Sequence, residues 1–310
     1  MHRFLESMKK ASFFAKILLF GEYGIIENAK GLTIPYNFYK GTLKFSDSDA
    51  HEESIQKLKE FADYLKTTMP ESFDVERLQK DLSAGMYFDS DIPQGYGVGS
   101  SGALVAAIYD EYANQPIGND GYSKENILAL KQVFSIMESY FHGTSSGIDP
   151  LICYLNIPLI IHSKNDIDTV GLPQEKAGKG AIFLINSGVP GKTEPMVQAF
   201  FEKMKNEGFR KTMHKEFTKY NDACIDAFVK GKTEPLFKNL KNLSTWAFVN
   251  FRPMIPTRLL NAWENGIQSN DYYLKLCGSG GGGFVLGFTQ DFEKAQKSLP
   301  DFELEPFYRF

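Results

Sequence analysis

The sequence predicts a two-domain protein of α+β or α/β class, and three observations carry that expectation. Its 310 residues exceed one average domain. Strand and helix patterns alternate in both halves. A polar segment, 164–180, with three glycines and a proline between two apolar runs, is expected to be a linker. In chain order, residues 15–20 predict a strand that Gly21 stops, and 31–45 a second extended stretch. Residues 51–67 are strongly charged, with Ile55, Leu58, Phe61 and Leu65 at helical spacing, and predict an amphipathic surface helix. An apolar helix over 103–113 follows a turn-rich run of glycines and serines. Another helix is expected over 124–141, with Ser123 as its N-cap. Beyond the linker, 182–185 predicts a strand and 193–260 is mostly helical in pattern. Strands 272–277 and 284–288 flank a glycine run at 278–283. No repeat of 20–50 residues is evident, which excludes a solenoid.

Composition narrows the function classes. At 43% hydrophobic and 23% charged, the chain has ample material for a core and is not a mainly disordered one. The 34 basic and 38 acidic side chains leave a net charge of −4. Nucleic acid and anionic membrane both demand a basic face, so neither is expected as a partner. No apolar run reaches the ~18 residues that span a bilayer. Lys16 interrupts the apolar stretch 11–20, and Gly21-Glu22 follows it where a signal peptide would need a small-residue cleavage site. Cys153, Cys224 and Cys277 are scattered, which fits reduced thiols in the cytoplasm and excludes a zinc ribbon. The five histidines, His2, His51, His142, His162 and His214, form no H-x-x-x-H pair, so no dedicated histidine metal site is expected. The 26 phenylalanines are expected in the core rather than at an interface.

Two nucleotide-binding motifs fail on their context. Gly278, Gly280 and Gly283 satisfy G-x-G-x-x-G, but a strand follows them where a dinucleotide fold needs a helix. Gly191-Lys192-Thr193 imitates the end of a phosphate loop, yet Asn186 stands where its first glycine belongs. The segment Gly95-Tyr96-Gly97-Val98-Gly99-Ser100-Ser101 reads differently. Its glycines allow positive φ and close backbone approach, and a helix N-terminus stands directly behind it. Such a loop suits a polyphosphate, although a flexible loop with a serine cap has the same pattern. Glu138 and Asp149 flank a Gly-Ser turn, so both carboxylates can face one cleft, or serve as a solvated helix residue and a cap. Lys16, alone in an apolar strand, must reach solvent, find a partner or act.

Taken together and in order, these residues resemble the GHMP kinase superfamily of galactokinase, homoserine, mevalonate and phosphomevalonate kinases. Residues 16–23 (KILLFGEY), 93–101 (PQGYGVGSS) and 275–283 (KLCGSGGGG) are similar to its three signature regions. Within the superfamily the block from Glu138 through His142-Gly143 and Ser146-Gly147 to Asp149 is most similar to the mevalonate kinases. The resemblance implies an α+β fold with an ATP-binding domain over 1–178, like ribosomal protein S5 domain 2. A ferredoxin-like α/β sandwich over 179–310 would follow it. It implies Asp149 as catalytic base with Lys16 as its cationic partner, the Gly95–Ser101 loop on ATP, and Ser101 with Glu138 on Mg²⁺. Gly278, Ser279, Gly280 and Gly281 would shape the cleft.

Substrate contacts are expected from Glu22, Tyr23, Ser146, Gly147, Lys192 and Thr193. The sequence departs from the mevalonate kinase pattern at Tyr23, where histidine is usual, and at Phe14-Ala15, where Pro-Gly precedes the lysine. It departs again at Gly191, often arginine, where Lys192 offers a point charge without the planar fork. The expected activity is phosphorylation of the primary hydroxyl of mevalonate to 5-phosphomevalonate in isoprenoid biosynthesis, by a cytoplasmic monomer or homodimer. Phosphomevalonate kinase, another GHMP specificity, and a noncatalytic binding protein of this fold are the alternatives.

Overall fold

The computed structural model describes residues 11–117, 122–175 and 177–310; His2 and Lys176 lie outside them. The chain begins with β1 (Phe13–Phe20) and β2 (Gly31–Phe45), then α1 (Glu52–Thr68), α2 (Val75–Ser83) and β3 (Met86–Ser90). Three helices follow, α3 (Ser100–Tyr112), α4 (Lys124–His142) and α5 (Ile148–Leu155), before β4 (Leu159–Ser163) and β5 (Asp166–Thr169). Next come β6 (Ala181–Asn186), α6 (Thr193–Met204), α7 (Glu207–Thr212), α8 (Thr218–Val229), α9 (Thr233–Asn250) and α10 (Leu260–Ser269). The chain ends with β7 (Tyr273–Leu276), β8 (Phe284–Thr289), α11 (Phe292–Ser298) and β9 (Leu304–Arg309).

One sheet has the order β1-β2-β4-β5, with β3 also on β2; the other has the order β7-β8-β6-β9. The long β2 serves two partners, β4 from Gly31↔Ile161 to Thr33↔Leu159 and β3 from Gly41↔Ser90 to Phe45↔Met86. In the second sheet β6 is central, antiparallel to β8 on one side and β9 on the other. Antiparallel sheets with most helices gathered in runs make the class α+β.

Two compact units divide the chain, and each is discontinuous in sequence. One holds the described residues up to Lys16, Pro35–Pro93 and Gly99–Asn156; the other holds Ile17–Ile34, Gln94–Val98 and Ile157–Phe310. The expected boundary at 178/179 falls inside the second unit. Part of the expected linker is strand: β5 pairs antiparallel with β4, and Ile167, opposite Ile161, is fully buried. That one apolar side chain among polar neighbours is too weak a pattern to mark a strand in the sequence.

In the first unit, α1 buries Leu58, Phe61, Ala62 and Leu65, the spacing of one helix face. α3 is buried on nearly all sides, through Ala103, Val105, Ala106, Ala107, Ile108, Tyr109 and Tyr112. Its small residues explain how: at Gly102 a Cβ would stand 2.8 Å from the Asp149 carbonyl carbon, so the starts of α3 and α5 touch there. The Ser123 hydroxyl caps α4 by accepting from the Asn126 amide at 3.3 Å, as expected. In the second unit, β6 and β8 are buried along nearly their whole length, and Phe200, Phe217, Trp246 and Phe251 form an aromatic cluster. Among the described residues Phe38 and Phe201 are the exposed phenylalanines, so the aromatic excess is core.

Candidate active site

In the first unit, six polar side chains gather around the N-termini of α3 and α5. Lys16, near the middle of β1, is 3% exposed, and its Nζ lies 2.8 Å from Asp149 Oδ1. Asp149 is in the first turn of α5 and keeps 41% of its side chain exposed. The lysine that the apolar strand isolates therefore finds a partner, and the partner still faces solvent. Gly99, at φ 85°, makes room for the lysine stem: a Cβ there would stand 2.8 Å from Lys16 Cγ. Gly99 is also the N-cap residue of α3 and offers no side-chain cap, so the first amides of this helix are not closed off by a side chain.

Glu138, in the last turns of α4, is the buried carboxylate of the group at 4% exposure. Its oxygens accept hydrogen bonds from Ser101 Oγ at 3.4 Å and from Ser145 Oγ. Ser101 Oγ also lies 3.1 Å from His142 Nε2. Burial pushes the Glu138 carboxyl up to about 8, and the Asp149 charge adds to the rise; the two serines and Lys16 pull against it. Burial holds the His142 ring below its ordinary value, with Asp149 opposing. Cys153, one turn beyond Asp149, is buried under Gly99, and burial pushes the pKa of its thiol up, which disfavours the thiolate.

The turn between α4 and α5 is built for this arrangement. Ser145 Oγ accepts from the Gly147 amide at 3.0 Å, and Ser135 Oγ donates to the Ser145 carbonyl at 2.6 Å. Gly147, at φ 73°, lies against the α4 backbone: a Cβ would stand 2.6 Å from the Ser135 nitrogen. Gly147 is thus a packing glycine. Ser146 is exposed and its hydroxyl accepts from the Ile148 amide at 3.4 Å. Sequence reasoning placed Lys16, Ser101, Glu138 and Asp149 but gave no task to His142 or Ser145. Both lie in the motif block it quoted, and only the fold of the turn shows which hydroxyl reaches Glu138.

In the second unit the three glycine-bearing segments interlock. Gly95 accepts through its carbonyl from the Gly191 amide at 2.8 Å, and the Tyr96 carbonyl from the Phe284 amide at 3.3 Å. At Gly97, φ 78°, a Cβ would stand 2.5 Å from the Cys277 carbonyl oxygen. These glycines therefore have a structural reason beside any ligand. Val98 is buried, and Ser100, in the first unit, begins α3. Gly278, Gly280 and Gly281 all hold φ near 75°. Gly280 packs on the Met254 carbonyl, where a Cβ would overlap the oxygen.

Glu22 and Tyr23 are both buried. Glu22 is buried, with Oε1 2.7 Å from the buried Lys275 ammonium. Burial raises its pKa against the pull of that lysine. The Tyr23 ring stacks on Phe200 at 4.7 Å, and its hydroxyl donates to the Ser279 carbonyl at 2.6 Å. Burial raises its pKa too. Both polar ends are engaged inside the fold. Lys192 and Thr193 are exposed at the start of α6, and Ser279 Oγ donates to Thr193 Oγ1 at 3.4 Å.

Glu138 gives a stability test in the ligand-free protein. Its pKa is raised above the unfolded value of 4.5. Its contribution is therefore full below about pH 4.5 and is lost as pH rises through about 8. The expected result is a Tm that falls between about pH 6 and about pH 9, and falls less in Glu138→Gln. Glu22 titrates in the same direction in both proteins and cancels in the difference. Parallel curves for the two would show that Glu138 is already ionised in the fold.

Among the described residues no three His, Cys, Asp or Glu side chains are grouped to hold a metal, and no helix is long and apolar enough to cross a membrane. Residues 57–156 match the family model described as GHMP kinases N terminal domain. No curated protein sequence matches the chain significantly. Solved structures do share its fold. L. major mevalonate kinase in complex with R-mevalonate is 14% identical, with 98% of this chain and 97% of that one covered, at a TM-score of 0.65. Streptococcus pneumoniae phosphomevalonate kinase in complex with phosphomevalonate and AMPPNP is 14% identical, with 97% and 100% covered, at 0.64. Lactococcus lactis galactokinase complexed with galactose is 13% identical, with 99% and 95% covered, at 0.63. At such identities the likeness carries the fold and leaves the acceptor open.

Proposed function

We propose that this chain, which has a GHMP kinase N-terminal domain at 57–156 and the GHMP kinase fold, transfers the γ-phosphoryl group of ATP to a small-molecule alcohol. Mevalonate is the first candidate acceptor. The observation that carries the reading is the 2.8 Å contact between buried Lys16 and half-exposed Asp149. A carboxylate facing solvent can receive an alcohol, and the buried ammonium behind it holds that carboxylate in place.

Asp149 accepts the hydroxyl proton as the alcohol oxygen attacks the γ-phosphorus; the bond from phosphorus to the β–γ bridging oxygen breaks and ADP leaves. Lys16 stabilises the negative charge that grows on the attacking oxygen and orients Asp149. The Gly95–Ser101 segment, with the uncapped amides at the start of α3, takes the nucleotide phosphates. Ser101 and Glu138 fit a hard divalent cation, because a hydroxyl and a carboxylate are oxygen donors. Burial beside Asp149 disfavours the ionised form of Glu138, so a bound cation would stabilise the carboxylate there. When bound, Mg²⁺ supplies charge neutralisation on the transferring phosphates. Lys192 and Thr193, consecutive and exposed at the start of α6, are the proposed contacts for an acidic acceptor.

The test is ADP release, by a coupled assay, with mevalonate, phosphomevalonate, galactose and homoserine in parallel. Turnover on mevalonate above the other three supports the reading in full. Turnover on another alcohol keeps the kinase and moves the acceptor. No release with any of the four, in protein that is folded by circular dichroism, would favour a binding protein.

A further inference from the structure

The three glycine segments of the second unit stand in a chain of contacts that begins at Tyr23. The Tyr23 hydroxyl donates to the Ser279 carbonyl at 2.6 Å. Its ring is held by Phe200 at 4.7 Å and Phe251 at 5.1 Å, centroid to centroid. Tyr23 also holds φ 59°, a region that bulky residues rarely occupy, so its position is imposed by these contacts rather than chosen by its backbone. Beside it, Glu22 fixes Lys275, whose ammonium donates to the Leu276 carbonyl at 3.0 Å. Residues 22 and 23 thus pin the backbone at 276 and 279, on both sides of Cys277.

That pinned stretch is what the Gln94–Val98 loop rests on. The Cys277 carbonyl lies so close to Gly97 that a Cβ would stand 2.5 Å from it. The Phe284 amide donates to the Tyr96 carbonyl, and the Tyr96 and Phe284 rings meet edge to face at 5.1 Å. A Cβ at Gly283 would stand 2.5 Å from Tyr96 Cα. Contacts this close leave the loop no freedom to move unless 277–284 moves with it.

We propose that Tyr23 is a positioning residue for the nucleotide loop, acting through the Ser279 carbonyl, and not a contact for the acceptor. The proposal rests on the kinase reading for its nucleotide and on the contacts above for its geometry. It reassigns the tyrosine of the first motif from choosing the acceptor to holding the second motif in place.

Tyr23→Phe is the test, since it removes the hydroxyl and keeps the ring on Phe200 and Phe251. Hydrogen–deuterium exchange of the ligand-free protein is expected to quicken severalfold in peptides over 94–98 and 277–284. Peptides from β9 serve as the internal reference and stay unchanged. In turnover, the KM for ATP is expected to rise about 3- to 10-fold, the effect of one net hydrogen bond, while the acceptor KM stays within about 2-fold. Unchanged exchange in both segments overturns the proposal. A raised acceptor KM with an unchanged ATP KM overturns it as well, and returns Tyr23 to the acceptor. If the wild-type protein transfers no phosphate to any acceptor, the kinase reading fails, while the exchange data still decide whether Tyr23 positions the loop.

Discussion

Asp149→Asn is expected to lose on the order of 10²- to 10⁴-fold in turnover while nucleotide binding persists within a few fold. An amide cannot accept the alcohol proton, and among the described residues around Asp149 no second base stands ready. Glu138 is buried and tied to Ser101 and Ser145, and the His142 ring is already engaged with the Ser101 hydroxyl. The substitution also leaves Lys16 facing a neutral group. Breaking a fully buried ion pair costs about 3–5 kcal/mol. Here Asp149 keeps 41% of its side chain in water, so the loss of stability should be smaller, on the order of 1–2 kcal/mol. A fall in kcat far beyond any loss of folded protein, with AMPPNP affinity retained by calorimetry, is the expected pattern. Turnover equal to wild type would remove Asp149 from the base role.

Lys16→Met should have the next largest effect, about 10²- to 10³-fold in turnover, the size seen when one preorganised electrostatic group is removed. Methionine can follow the aliphatic stem past Gly99 and fill the same buried space, so packing changes little. What disappears is the charge. Without it Asp149 loses its orienting partner and the growing charge on the attacking oxygen loses its stabiliser. Glu138 should also move further up, because Lys16 is one of the groups that pull its pKa down. The checks are kcat at saturating substrates and a carboxyl NMR titration of Glu138 against wild type. Retained turnover would show that the 2.8 Å pair serves stability alone.

The two predictions share an origin in how the sequence lays out the fold. A lone lysine in an apolar strand, a glycine-serine run before an apolar helix, and two carboxylates about a turn were all legible, because each breaks a local pattern. Their convergence was not. It depends on Gly99 and Gly102 admitting the Lys16 stem and the start of α5, contacts between segments about 50 to 80 residues apart. β5 escaped notice because its single buried isoleucine is a strand only through pairing with β4. The burial of Glu22 and Tyr23 is hidden in the sequence for a similar reason. Polar residues beside a glycine turn read as surface groups until the partners that bury them, Lys275 and Phe200, arrive from about 250 and 180 residues away. Gly95 and Gly97, which the sequence offers as room for a ligand, are at least equally room for the backbone at Gly191 and Cys277.

The central claim is that phosphate passes from ATP to an alcohol seated at Asp149. Phosphorus NMR of a reaction containing ATP, Mg²⁺ and mevalonate tests it most directly, with wild-type protein and Asp149→Asn side by side. The account predicts a new phosphate monoester resonance rising with ADP in the wild-type tube and nearly absent from the other. ADP appearing with inorganic phosphate alone, or a monoester forming equally in both tubes, would contradict it.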